Sequence, residues 1–125
     1  MNDKISLGFG AMPEPHELET VYFLVEHLPI RHVRILAPSQ VEGVHKPDLD
    51  IDGVLWEMKA PINSNKRSVE HILRVAIKQS VNILIDLRRL NGSESNFVSR
   101  VKFELGKRKN IKKLKIITKD LKLLT

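Results

Sequence analysis

The sequence contains no cysteine, which excludes disulfide scaffolds, zinc ribbons, cysteine nucleophiles and iron–sulfur centres. Aromatic residues make up only 5% of the chain, so we expect no continuous aromatic stripe for stacking single-stranded nucleic acid. No apolar run approaches the ~20 residues that span a bilayer. The first residues lack the charged-then-apolar pattern of a secretory signal. These absences predict a cytoplasmic protein without membrane contact.

The length and composition are those of one globular domain. The chain has 125 residues, of which 42% are hydrophobic and 29% charged, which is enough for a single apolar core and argues against global disorder. We therefore predict one domain over 1–125. Its first segment, 1–13, contains Gly and Pro and is predicted to be loose.

The charge is unevenly distributed along the chain. The formal net charge is +6, but residues 100–125 contain ten Lys or Arg and only two acidic residues. A basic C-terminal region on a slightly acidic body is typical of proteins that bind a polyanion, most often nucleic acid. A solvated lysine-rich surface is the alternative interpretation, and charge alone favours neither.

Hydrophobic periodicity predicts the order α-β-β-β-α-β-α-β, an α/β fold with a mixed β-sheet flanked by helices. Ser68 is the expected N-cap of the second helix. The strand–helix–strand unit from Val54 to Leu87 predicts a parallel, right-handed crossover. The predicted helices cover 16–27, 68–80 and 96–107, the predicted strands cover 32–37, 48–51, 54–59, 81–87 and 114–118, and a short edge strand is expected over 121–124.

A β-hairpin is the most informative local prediction. Asp52-Gly53 suits a type I′ turn, because both of its central positions need positive φ. A two-residue loop fixes the register, so that Asp48 lies opposite Glu57 and the other pairs are Ile51 with Val54, Asp50 with Leu55 and Leu49 with Trp56. Side chains alternate along a strand, so Glu57 and Lys59 share a face with Asp48.

Two carboxylates directly opposite each other destabilise a sheet unless something lies between them. A hard divalent cation such as Mg²⁺ is the simplest candidate, since it takes oxygen ligands and needs only one or two carboxylates. Lys59 then lies within reach of a cation-bound water or a scissile phosphate, an arrangement suited to phosphoryl chemistry. The alternative interpretations are a solvated Asp48 before a turn and an exposed polar face at Glu57 and Lys59.

The hairpin resembles a known nuclease motif. Pro47-Asp48 followed by Glu57-Met58-Lys59 is similar to the PD-(D/E)xK motif of the restriction-endonuclease-like nucleases. The predicted element order also resembles that superfamily's core, with the motif on its second and third strands. The resemblance implies metal-dependent phosphodiester hydrolysis by Asp48, Glu57 and Lys59.

Six short stretches carry a closer resemblance: His16-Glu17, Lys46-Pro-Asp, Trp56-Glu-Met-Lys, Ala76-Ile-Lys-Gln-Ser80, Asp86-Leu-Arg-Arg and Ile116-Ile-Thr-Lys119. Together they resemble the C-terminal toxin domain of contact-dependent growth inhibition proteins, the CdiA C-terminal domain. This resemblance implies a metal-dependent ribonuclease that uses Mg²⁺, with Mn²⁺ or Zn²⁺ as alternatives, cleaves tRNA and is neutralised by a cognate immunity protein. The chain would then be an excised domain acting in the cytoplasm of a target cell, or a stand-alone relative acting in the cytoplasm of its own cell.

A glutamate on the first helix often completes the metal site in such nucleases. Glu17, Glu19 and Glu26 are the candidates. Glu17 lies at the margin of the apolar face of the predicted helix, whereas the other two lie towards its far side. The helical wheel and the resemblance both favour Glu17 as the third ligand.

Basic and polar residues outside the hairpin are candidates for holding the nucleic-acid backbone. Phosphate contacts position a substrate without reading its sequence. Ordinary solvated basic loops, an Asp86 ion pair with Arg88 or Arg89, and contacts with an acidic immunity protein are the alternatives. The candidates are Lys66, Arg67, Gln79, Arg88, Lys107, Arg108, Lys109 and Lys112.

Two other functions fit the same residues. No residue discriminates RNA from DNA, so a DNA endonuclease of the same superfamily is the first alternative. A non-catalytic nucleic-acid-binding module is the second, and it predicts salt-dependent binding without cleavage. The sequence does not indicate the oligomeric state.

Overall fold

A computed structural model describes residues 2–42, 46–62, 65–79, 82–107, 113–120 and 122–124. Within these ranges, the side chains of Lys66 and of residues 76–79 are not described. The fold, the contacts and the candidate sites below refer to these residues.

The described residues contain seven strands and three helices, in mixed parallel and antiparallel pairing. The predicted α/β class with a mixed sheet and flanking helices is therefore confirmed. In chain order the elements are β1 (Ile5–Leu7), α1 (Pro15–His27), β2 (Val33–Ile35), β3 (Leu49–Ile51), β4 (Val54–Lys59), α2 (Lys66–Gln79), β5 (Asn82–Asp86), α3 (Glu94–Leu105), β6 (Lys113–Ile117) and β7 (Leu123–Leu124).

The chain divides into two compact units, Met1–Trp56 and Glu57–Thr125, and the division falls within β4. Each unit is described by itself. The expectation of one domain over 1–125 stays a prediction.

The first unit contains strands in the order β1-β2-β3-β4 and helix α1. β1 pairs with β2 in parallel, and the β2–β3 and β3–β4 pairs are antiparallel. Its buried apolar side chains come from every element, which is why such short strands are stable together. Those that are completely buried are Val21, Leu24, Val33 and Leu49.

The N-terminal segment is more ordered than the sequence predicts. Residues 1–13 were expected to be loose, but Ile5–Leu7 forms β1 in register with Val33–Ile35. Ile5 is only 6% exposed, so its burial accounts for the ordering. A three-residue strand is too short for hydrophobic alternation to reveal it.

The hairpin has the predicted turn and register. Asp52 and Gly53 have φ values of 49° and 86°, as a type I′ turn requires, and the pairs at Leu49, Asp50 and Ile51 are the expected ones. Asp48 and Glu57 belong to different units, so their pairing stays a prediction.

The carboxylate of Asp52 also fixes the start of β2. It accepts hydrogen bonds from His32 N at 2.9 Å and from Arg31 N at 3.2 Å. These bonds, with Arg31 first, lower the pKa of Asp52 below its ordinary value of 3.8. Asp52 therefore connects the turn to the preceding chain, beyond the turn role that its sequence position indicates.

We expect Asp52 to make folding stability pH-dependent. A carboxylate whose pKa is lowered on folding stabilises the protein above its unfolded pKa, and that stability is lost as pH falls through the folded pKa. The thermal midpoint of wild type should exceed that of Asp52→Asn at about pH 6, and the difference should shrink as pH falls below the ordinary pKa of 3.8. Thermal unfolding across this range measures it, and a difference that does not change with pH would contradict the assignment.

The second unit contains the end of β4, strands β5, β6 and β7, and helices α2 and α3. The β4–β5 and β5–β6 pairs are parallel, as the predicted crossover requires, and β7 adds an antiparallel edge. A continuous apolar core joins the helices to β5 and β6. Its buried members are Val69, Leu73, Ile83, Ile85, Leu87, Leu90, Phe97, Val101 and Ile116.

Both helices of the second unit begin earlier than predicted. Asn65 Oδ1 accepts a hydrogen bond from Ser68 N at 2.9 Å, so the prediction of Ser68 as N-cap is wrong and α2 starts at Lys66. Ser93 Oγ caps α3 by accepting from Asn96 N at 3.1 Å. In each case a short polar side chain three residues upstream satisfies a free backbone N–H.

Candidate active site

An acidic pocket of about 230 Å³ lies in the first unit. Two of its lining residues, Glu17 and Asp48, are predicted metal ligands that are far apart in the chain. The segment before α1 and the end of β2 supply the rest of the lining, which consists of Met12, Pro13, Ile35, Leu36 and Pro38.

The N-terminal geometry of α1 fixes Glu17. Pro15 occupies the first turn, where a missing N–H has no cost, and Glu14 is the N-cap. Glu14 N donates to Glu17 Oε1 at 2.9 Å, an N-terminal cap that also holds the side chain in one place. A carboxylate has two oxygens with several lone pairs, so capping leaves Glu17 able to bind a cation.

Backbone hydrogen bonds on both sides fix Asp48. Its N–H donates to Trp56 O at 3.0 Å, and its carbonyl accepts from Leu36 N at 2.9 Å. Asp48 therefore lies between the residue that follows β2 and the middle of β4, immediately before β3, and it is partly buried and lines the pocket. The solvated, turn-proximal interpretation of Asp48 does not describe this position.

In the second unit, Glu57 and Lys59 lie on one face of β4, because side chains two residues apart in a strand share a face. Glu57 is completely buried, so the alternative of an exposed polar face is wrong at this residue. Its Oε1 accepts from Met58 N at 3.2 Å. Lys59 is partly exposed and lies in register with Ile85 of β5.

The donor atoms of the pocket suit a hard cation. Its lining offers two carboxylates and neither imidazole nor thiolate, which fits Mg²⁺ or Mn²⁺ better than Zn²⁺. Among the described residues, no cluster of three or more His, Asp or Glu side chains is placed to hold a metal ion. The pocket by itself therefore fits a cation that has two carboxylate ligands and keeps several waters.

Arg88 is engaged in an ion pair. Its guanidinium contacts the carboxylate of Asp86 at 2.7 Å and 3.0 Å, and its backbone N–H donates to the same carboxylate. Asp86 is 4% exposed, so it needs this charge partner. The alternative that Asp86 pairs with one of the two arginines is confirmed.

We expect Arg88→Ala to destabilise the protein by about 3 kcal/mol, because it leaves a buried carboxylate without its cation. Arg89→Ala removes the same charge from an exposed position and should change stability by less than about 0.5 kcal/mol. Chemical denaturation of the two variants measures the difference. Equal stability would show that the Asp86 pair contributes little.

Arg67 borders a polar pocket of about 530 Å³ on α2. His71 and Arg74 line the same pocket, and Arg74 Nη2 lies 3.2 Å from His71 Nδ1. Sequence reasoning selected only Arg67. These three residues are spaced four and then three positions apart, and this spacing indicates that they lie on one face of the helix.

Of the remaining candidates for holding the nucleic-acid backbone, the structure describes the side chain of Lys107. Lys107 Nζ lies 4.4 Å from the centre of the Phe103 ring and 3.9 Å from Glu104 Oε1. Its charge therefore lies beside an exposed aromatic ring and a buried carboxylate. The candidates outside the described residues or side chains are Lys66, Gln79, Arg108, Lys109 and Lys112.

The fold and this pocket define a small α/β protein with a carboxylate-lined candidate site. The family model of the contact-dependent growth inhibition CdiA C-terminal domain matches residues 45–123. The chain belongs to this family. The matched range contains Asp48, Glu57 and Lys59, whereas Glu17 lies before it.

Comparison with solved structures gives a match over nearly the whole chain. The match is the "CdiA-CT/CdiI toxin and immunity complex from Burkholderia pseudomallei", with a TM-score of 0.60, 18% identity and coverage of 95% of this chain and 96% of that chain. At this identity the likeness shows a shared fold. The search of curated proteins gives no match.

None of the helices in the described part of the chain has the length and apolar character needed to cross a membrane.

Proposed function

We propose that this protein is a metal-dependent endoribonuclease that cleaves tRNA, the toxin domain of a contact-dependent growth inhibition system. The observation that supports the proposal most directly is the pocket that Glu17 and Asp48 share. A helix and a hairpin bring two carboxylates together there, although 30 residues lie between them in the chain. The site we propose is of the PD-(D/E)xK type.

In this proposal Glu17 and Asp48 bind the cation in the pocket that they share. Glu57 is the further ligand that the motif resemblance implies, although the described side chains form no cluster of three such ligands. A bound Mg²⁺ would polarise a phosphoryl oxygen and lower the pKa of a coordinated water. Glu57 is the least accessible of the three carboxylates. A divalent cation suits this oxygen-only donor set.

Lys59 is the proposed partner of the phosphate. Its ammonium group orients the nucleophile or stabilises negative charge that develops on the phosphoryl oxygens. In the hydrolysis, the water oxygen bonds to phosphorus, the bond from phosphorus to the leaving ribose oxygen breaks, and that oxygen receives a proton. Arg67 and Lys107 are proposed to hold the backbone of the substrate through charge.

Family membership supports the toxin role and the partner. The structure that shares this fold is described as a toxin and immunity complex, and we propose that a cognate immunity protein likewise neutralises this chain. The site of action would be the cytoplasm of the cell that receives the toxin. The identity of tRNA as substrate rests on the family resemblance.

Expression in bacteria under a tightly controlled promoter tests the proposal. Wild type should arrest growth and deplete tRNA while chromosomal DNA stays intact. Glu17→Gln should abolish the effect, because Gln retains an oxygen for the helix cap but loses the charge. Glu19→Gln is the matched control, since Glu19 is an exposed residue of the same helix.

Three outcomes would contradict the proposal in different ways. Degraded DNA with intact tRNA would favour the DNA endonuclease. Arrest that Glu17→Gln leaves unchanged would exclude this pocket. Salt-dependent binding without cleavage of either nucleic acid would favour a non-catalytic binding module.

A further inference from the structure

One aromatic side chain is fully exposed beside the acidic pocket. Phe9 is 100% exposed and Met12 is 90% exposed. Both lie in the segment that joins β1 to α1, in the first unit. Single exposed apolar residues are common on protein surfaces, so the case for a binding role depends on what surrounds these two.

An ordered turn holds Phe9 outward. Ala11 N donates to Gly8 O at 3.0 Å, and Gly8 N donates to Ile35 O at 2.7 Å. Gly10 has a φ of 82°, which the third position of a type II turn requires. Phe9 occupies the second position of this turn, so hydrogen bonds to β2 and within the turn fix its backbone.

The turn lies at the edge of the pocket. A Cβ placed on Gly10 would lie 3.7 Å from Ala37 Cβ. The residues on either side of Ala37, Leu36 and Pro38, line the pocket, as does Met12. The fixed turn with Phe9 therefore lies beside residues 36–38, a segment that contributes to the pocket shared by Glu17 and Asp48.

A cationic side chain lies beside the same turn. A Cβ placed on Gly8 would lie 3.6 Å from Arg34 Nε, and Arg34 is exposed. Aromatic rings and guanidinium planes are the groups on which proteins stack the unpaired bases of RNA loops.

We propose that Phe9, with Met12 and Arg34, is a stacking platform for one unpaired base adjacent to the cleaved phosphodiester. The proposal rests on the proposed nuclease function and deepens it, because it names a single-stranded loop of RNA as the substrate class. It requires one aromatic residue and no aromatic stripe, consistent with the low aromatic content of the chain.

Binding of a fluorescent RNA tests the platform separately from cleavage. The probe is a stem–loop RNA with one 2-aminopurine in its loop, titrated with protein that carries Asp48→Asn to prevent cleavage. Stacking should quench the fluorescence, and Phe9→Ala should weaken binding about tenfold and abolish the quenching. Phe9→Trp should retain both signals, whereas Phe9→Leu, which keeps apolar area without a ring, should behave like Phe9→Ala.

The outcomes separate this proposal from the proposed function. Quenching that depends on Phe9, in a protein whose wild type cleaves no RNA, supports the platform and contradicts the nuclease. Cleavage by wild type with equal binding by Phe9→Ala or Phe9→Leu overturns the platform alone. If no variant binds the RNA, or if Phe9→Ala weakens only self-association or immunity-protein binding, the platform is overturned.

Discussion

Asp48→Asn is expected to reduce metal-dependent cleavage of tRNA by about 10²–10³-fold. The substitution retains the shape of the side chain and the backbone hydrogen bonds to Leu36 and Trp56. It removes one negative charge from the pocket that Glu17 also lines. Initial rates with purified protein at saturating Mg²⁺ measure the loss, and thermal unfolding shows whether the fold is retained.

Asp50→Asn is the matched control for this change. Asp50 lies two residues further along the chain, in β3, and its Oδ1 accepts from Gly53 N at 2.8 Å, a hydrogen bond that an amide oxygen also accepts. It is absent from the lining of the pocket. The control should cleave at nearly the wild-type rate, and equal loss in both variants would show that net charge rather than Asp48 determines activity.

Glu57→Gln is expected to produce the second largest effect, a loss of cleavage of at least about 10²-fold without a loss of stability. Glu57 is completely buried, and a neutral amide costs less to bury than a carboxylate. Gln also retains an oxygen that accepts from Met58 N. Mg²⁺ should raise the thermal midpoint of wild type, because a ligand that binds only the folded state stabilises it, and should raise that of Glu57→Gln by less.

Glu104→Gln is the control for the buried charge. Glu104 is another buried carboxylate in the same unit, at 3% exposed, and it lies on α3. This variant should retain both cleavage and the Mg²⁺-dependent rise in thermal midpoint. Cleavage by Glu57→Gln at the wild-type rate would contradict the role of Glu57 as a ligand. A loss of cleavage in Glu104→Gln as large as that in Glu57→Gln would also contradict it.

The parts of the fold that local chemistry determines are predictable from sequence. Asp52-Gly53 specifies its turn because few other dipeptides accept two positive φ values, and the register of the hairpin follows from that turn. The parallel β4–β5 pair follows from the crossover rule. Hydrophobic periodicity does not predict the strand at Ile5–Leu7, because that strand depends on its pairing with β2. It does not predict Asn65 as the helix cap either, because the cap depends on one hydrogen bond from Ser68 N.

The candidate site is predictable to a smaller extent. The helical wheel selected Glu17, and the structure places it in one pocket with Asp48. Sequence cannot show how far a side chain is buried, so an exposed Glu57 was a reasonable alternative until the structure excluded it. The exposure of Phe9 could not be predicted either, since an aromatic residue between two glycines indicates only a loop.

The roles of the basic residues depend on partners distant in space. Arg88 follows a strand and was selected to hold a phosphate, yet its guanidinium contacts Asp86. Arg67 shares a pocket with His71 and Arg74, which makes it the stronger candidate for a backbone contact. Charge counts alone do not separate these two arginines.

Cleavage by the purified protein is the most direct measurement of the central claim, that a carboxylate-held cation hydrolyses tRNA here. Wild type and Asp48→Ala are incubated with total tRNA and with plasmid DNA, each in Mg²⁺, in Mn²⁺ or in EDTA. The account predicts that tRNA is cleaved only by wild type and only with a divalent cation, and that the plasmid stays intact. Cleavage of tRNA that persists in EDTA or in Asp48→Ala would contradict it.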